Sequence, residues 1–142
     1  MQWAVKPWMQ RQKMDRRDGI TEQEQATSVL NPAALENLRE IAGGDTVFLV
    51  ELIDAFLDDA PRILAGMRQA LEDGDAALLR QSAHSLKSNS AEFGAMALSK
   101  LCQEMEMIAR AGVLAGALEK LTRIEAEYAK AQAALETAKR QL

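Results

Sequence analysis

Leu79-Arg80-Gln81-Ser82-Ala83-His84-Ser85-Leu86-Lys87-Ser88-Asn89-Ser90-Ala91-Glu92-Phe93-Gly94 carries its apolar and small residues at helical spacing. At ~100° per residue, Leu79, Ala83, Leu86, Ser90 and Phe93 fall on one side, in the alternation of three- and four-residue steps that faces a core. His84 is the only histidine of the chain. It stands roughly 140° from the centre of that stripe and is predicted to face solvent. Arg80, one turn before it, and Lys87 and Ser88, one turn after it, share its face. Positive neighbours disfavour a further positive charge, which favours the neutral ring whose nitrogen lone pair is nucleophilic.

The segments on either side keep the same period. Asn31-Pro32 is a helix start with Pro at the first helical position, and Gly43-Gly44 closes a short helix whose inward residues are Leu35, Leu38 and Ile41. Asp45 caps a long helix with apolar positions Leu49, Leu52, Ile53, Phe56, Ala60, Ile63, Leu64, Met67 and Leu71, in phase as far as Gly74. Pro61 falls inside it without shifting that phase, which predicts one kinked helix in place of two. Asp75 caps the helix bearing His84, which is predicted to end near Phe93-Gly94. The next helix runs from about Ala95 to Arg110, with Leu98, Leu101, Cys102, Met105, Ile108 and Ala109 inward, and Gly112 ends it. A last helix, from about Leu114 to Arg140, places Leu118, Leu121, Ile124, Tyr128, Ala131 and Leu135 on one face.

Short connections make consecutive helices antiparallel neighbours. The fold predicted for residues 29–142 is therefore all-α, an antiparallel up-and-down four-helix bundle with a short extra N-terminal helix. Residues 1–28 are polar, mixed in charge and without sustained periodicity, and are read as a flexible tail or linker. Trp3 and Trp8 within that stretch are either anchors or incidental.

Composition narrows the function classes. A chain of 142 residues is long enough for one core. Its net charge of −4 argues against general nucleic-acid binding. No apolar run approaches the ~20 residues of a membrane span, and the N-terminus lacks the apolar core of a signal peptide. Cys102, the single cysteine, has no internal disulfide partner, so a reducing, cytoplasmic location is expected. One His and one Cys on different helices do not make a metal site.

His84, Leu86 and Lys87, followed by small residues and by Gly94 ten positions after the histidine, closely resemble the phosphoacceptor motif of histidine phosphotransfer (HPt) domains. Ser88 stands where that motif has Gly; as the next smallest polar residue it is expected to keep the site open. The resemblance covers roughly residues 30–142 and is most specific between Leu79 and Arg110. It implies a phosphorelay intermediate: His84 accepts a phosphoryl group from a receiver-domain aspartate of a (hybrid) sensor kinase and passes it to a response regulator. The partners implied are those receiver domains, met by a monomer. Their own carboxylates are expected to hold the Mg²⁺ the reaction needs, with no cofactor or metal bound by this chain.

Lys87 is placed to stabilise the phosphoryl charge. Two antiparallel helices joined at Gly94 bring Glu104 or Glu106 opposite His84, and the resemblance favours Glu106, at a place where the family commonly carries Gln. A carboxylate accepting from one ring N–H would fix the tautomer and leave the other nitrogen free to attack. Arg80, Gln81, Ser88, Ala91 and Arg110 are expected to form the partner-binding surround, a basic rim widened by Lys100 and suited to an acidic receiver pocket. The chain has no nucleotide-binding Gly-rich loop and no kinase signature, so it is read as a phosphotransfer protein without kinase activity of its own. Ser82 and Ser85 share no face with His84, and no nucleophile elbow is present, which argues against a hydrolase. The alternative is a helical interaction module that binds receiver or kinase domains without carrying phosphate.

Overall fold

The computed structural model describes residues 29–142, so the reading of residues 1–28 as a tail or linker lies outside the described residues. Among the described residues five helices are assigned: α1 (Pro32–Ile41), α2 (Thr46–Asp73), α3 (Ala76–Glu92), α4 (Met96–Ala111) and α5 (Ala117–Arg140). Among the described residues there is no strand. Contacts run α2 to α3, α3 to α4, α4 to α5 and back from α5 to α2, which closes a four-helix bundle, while α1 lies against α2 and α3. The α3–α4 interface is the most extensive of these. No helix among the described residues is long and apolar enough to cross a membrane.

Helix starts follow the expected capping chemistry. The side chains of Asn31, Asp45 and Asp75 accept from the backbone N–H groups of Ala33, Phe48 and Leu78 at 3.0, 3.1 and 3.0 Å, satisfying donors a helix start leaves orphaned. The inward stripe of α3 is as read, with Leu79, Ala83, Leu86, Ser90 and Phe93 all buried.

Two apolar residues expected inside lie outside. Ile41 is 65% exposed because the stripe of α1 continues from Leu38 to Ala42, four residues on. Leu118 is 58% exposed. The helix begins later than expected, after Gly116 at φ 83°, and Ala117, Leu121, Ile124, Tyr128, Ala131 and Leu135, among its buried residues, follow one another at four- and three-residue steps that leave Leu118 one step off the stripe.

Pro61 sits within the continuous helix α2. Lacking an N–H, it leaves the carbonyl of Leu57, four residues earlier, without its helical donor. Tyr128 of α5 takes that place, donating its hydroxyl to the Leu57 carbonyl at 3.4 Å. Tyr128→Phe keeps the ring, which meets Phe56 edge-on at 6.1 Å, and removes only that donor. Urea denaturation of this variant is expected to show a loss of about 1 kcal/mol, the worth of a typical hydrogen bond. An unchanged midpoint would mean that the carbonyl is satisfied by water.

Gly94 makes the α3–α4 turn at φ 79°. A Cβ there would lie 2.8 Å from the carbonyl oxygen of Asn31 and 2.9 Å from its nitrogen. The Asn31 N–H in turn donates to the Gly94 carbonyl at 2.8 Å. The glycine thus serves both the left-handed turn and the seat of the α1 N-terminus, and the tight turn sets where α4 returns alongside α3.

Candidate functional site

His84 projects from the middle of α3 with its side chain 60% exposed, on the face opposite the buried stripe. Across the interface stands Glu106 of α4, only 6% exposed. Its Oε2 lies 3.0 Å from Nδ1 of His84, and its Oε1 accepts from Nζ of Lys87 at 2.7 Å. Nη2 of Arg110, one turn further along α4, reaches Oε2 at 3.3 Å. One buried carboxylate therefore gathers three donors from two helices.

Of the two glutamates that spacing offered, Glu106, the one the resemblance favoured, meets the histidine, while Glu104 accepts from Lys120 of α5 at 2.6 Å and serves the α4–α5 interface. The hydrogen bond from Lys87 is the largest influence on the Glu106 carboxyl and holds it below the ordinary carboxylate range. Burial opposes that lowering, and the hydrogen bond with His84 reinforces it. An ionised carboxylate only accepts hydrogen bonds. Nδ1 of His84 is therefore the donor in this pair, so that in the neutral ring the lone pair stands on Nε2.

The charge around the ring differs from the sequence reading in one respect. Lys87 does not stand as an unopposed cation beside His84, because its ammonium is tied to Glu106. Two α3 residues expected as equivalent positive neighbours thus differ: Lys87 is compensated, and Arg80 lies exposed at the groove.

An open groove of about 490 Å³ beside the ring is lined by Ala77, Arg80, Gln81, His84, Glu106 and Arg110. It brings together five of the expected site residues. Lys87 joins them through Glu106, whereas Ser88, exposed, and Ala91, half-buried, lie further along α3 beyond the groove lining. Lys100 is exposed and does not line the groove.

Two contributors were missed in the sequence. Ala77 lies two turns before His84 on the same face, a spacing that was there to be read. Ser99, 8% exposed, donates its hydroxyl to the backbone carbonyl of Lys87 at 3.0 Å. Its only signal was a polar residue within the apolar stripe of α4.

Cys102 is buried, and burial pushes its thiol up to about 12, so it is protonated and unreactive at neutral pH. Among the described residues, no group of three or more His, Cys, Asp or Glu side chains is placed to hold a metal ion.

The family model described as "Hpt domain" matches residues 51–134. Among solved structures, the chain is similar to histidine-containing phosphotransfer protein B (HptB) from Pseudomonas aeruginosa PAO1. The two are 31% identical with a TM-score of 0.75, and the match covers 80% of this chain and 96% of that one. It also shares its fold with the HPT domain of the Hpt sensor hybrid histidine kinase from Shewanella, at 24% identity and a TM-score of 0.63, over 83% of this chain and 97% of that one. No curated protein matches the chain. A bundle of this topology, an exposed histidine held by a carboxylate of the next helix, and a family match over more than half of the length converge: the chain belongs to the Hpt domain family, the phosphotransfer modules of two-component phosphorelays.

Proposed function

We propose that Nε2 of His84 accepts a phosphoryl group from the aspartyl phosphate of a sensor kinase's receiver domain and passes it to the receiver aspartate of a response regulator. The observation that supports this most strongly is the pairing of an exposed ring with one buried carboxylate, His84 Nδ1 to Glu106 Oε2 at 3.0 Å. That pairing orients the ring and directs the other nitrogen outward.

In the forward step the Nε2 lone pair forms the N–P bond, the P–O bond to the donor aspartate breaks, and that aspartate leaves as a free carboxylate. Nδ1 keeps its proton throughout, and the positive charge gained by the phosphorylated ring faces the Glu106 carboxylate. The return step to the second receiver reverses these events. Lys87 and Arg110, both within reach of Glu106, are the cations that meet the charge of the transferred group. The exposed Arg80 and Gln81 side chains, with Ser88 and Ala91 beyond, form the surface that a receiver covers. The Mg²⁺ of the reaction belongs to the receiver's carboxylates, and this chain acts without ATP.

Transfer of radiolabel from a phosphorylated receiver to this chain, and from it to a second receiver, tests the proposal. Binding without labelling would establish a passive interaction module in its place. In single-turnover measurements at saturating phosphorylated receiver, Lys87→Ala is expected to slow transfer by about tenfold while weakening receiver binding less, because the charge it meets is concentrated at the reacting group. Arg110→Ala is expected to act in the same direction with a smaller effect, its side chain being 63% exposed. A Lys87→Ala variant that loses affinity but transfers at the wild-type rate when saturated would make Lys87 a docking charge.

A further inference from the structure

Lys87 is tied to α4 at both ends. Its ammonium donates to Glu106, and its backbone carbonyl accepts from the hydroxyl of Ser99 at 3.0 Å. The two anchor residues stand seven positions apart on α4, which is two helical turns on one face. Side chains on a helix lean towards its N-terminus, so the Lys87 side chain runs back to the level of His84. Helical carbonyls point the opposite way, towards the Gly94 turn, where Ser99 lies. The hydroxyl of a helical serine ordinarily turns to solvent or to the carbonyl four residues before it. Ser99 is 8% exposed and reaches the neighbouring helix instead.

We infer that Ser99 is a positioning residue for phosphoryl acceptance, acting through the main chain of Lys87 to fix the register of α3 against α4. The inference rests on the reading of His84 as the acceptor. A short imidazole arm has little reach to compensate for sliding between the helices. A shift of α3 along α4 that stretched the Ser99 hydrogen bond would also draw Nδ1 of His84 away from Glu106, at 3.0 Å in the formed site. Ser99→Ala is a clean probe because the Lys87 carbonyl keeps its helical acceptor role towards the N–H four residues on, so no buried group is orphaned. The Gly94 turn and the packing of Leu98 and Cys102 remain to hold the fold.

The test uses the full chain and phosphoramidate, a small phosphoryl donor that needs no partner protein and releases ammonia as the N–P bond to His84 forms. At saturating phosphoramidate, Ser99→Ala is expected to accept phosphate roughly three- to tenfold more slowly, since small displacements of reacting groups carry large rate penalties. The ¹⁵N resonances of the His84 ring should show a falling share of the Nδ1–H tautomer in the same variant. Ser99→Thr retains the hydroxyl and should stay within about twofold of the wild-type rate and keep the tautomer. A wild-type rate in Ser99→Ala, or an equal loss in Ser99→Thr, overturns the inference while leaving His84 as acceptor. If the wild-type chain takes phosphate from neither phosphoramidate nor a receiver, or takes it on a residue other than His84, the underlying reading fails and this one with it.

Discussion

Replacing His84 with Gln is expected to abolish phosphate acceptance while leaving helical content and melting temperature nearly unchanged. The side chain is 60% exposed and contributes little to packing, and surface substitutions normally move stability by no more than about 0.5 kcal/mol. The buried carboxylate of Glu106 is not stranded by the change, because Lys87 and Arg110 remain beside it and the Gln amide can donate in place of the ring. Incubation with a labelled donor, followed by acid and base treatment, separates the outcomes. Acid-labile, base-stable label should appear on the wild type and vanish from the variant; its survival in the variant would place the acceptor elsewhere.

Leu86→Ala should act in the opposite manner, on the fold. Two residues from His84, Leu86 is fully buried within the central cluster. Truncation removes its transfer free energy and leaves a cavity that the surrounding helices fill only in part, a loss of about 2–5 kcal/mol. Urea denaturation followed by circular dichroism measures it directly. A loss of no more than about 0.5 kcal/mol, the range of surface substitutions, would contradict the burial. Together the two variants separate the faces of a single helix: one carries chemistry with little stability, the other stability with no chemistry.

Much of this arrangement was legible because helices impose a local period. The buried side of α3 could be read at Leu79, Ala83 and Leu86, the outward direction of His84 followed from the same count, and α2 was recognisable as one element because its apolar positions stay in phase across Pro61. Where a stripe bordered a helix end the count was less secure. Ala42 replaces Ile41, and Ala117 replaces Leu118, because a stripe steps by three or by four residues and at its end position no further residue fixes which.

Contacts between helices were harder, since periodicity says which face is inside but not which residue it meets. Spacing alone left both Glu104 and Glu106 opposite His84; the resemblance favoured Glu106, and the fold sets its carboxylate against Nδ1. The Tyr128 hydroxyl on the Leu57 carbonyl joins residues 71 positions apart, and nothing local announces it. Gly94 was visible as a turn residue, but its second task, admitting the Asn31 backbone within 3 Å of where a Cβ would stand, depends on a segment distant in sequence. Ser99 showed itself only as a polar residue on an apolar face, a signal without a partner until α3 was laid beside it.

The central claim is that phosphate resides on Nε2 of His84 while Nδ1 keeps its proton for Glu106. Two-dimensional ¹H–¹⁵N spectroscopy of the ring in the phosphorylated full chain, with ³¹P coupling to identify the bonded nitrogen, tests it most directly. The account predicts phosphorus coupled to Nε2 and a protonated Nδ1. Phosphorus on Nδ1, or a phosphorylated chain whose His84 ring is unmodified, would contradict it.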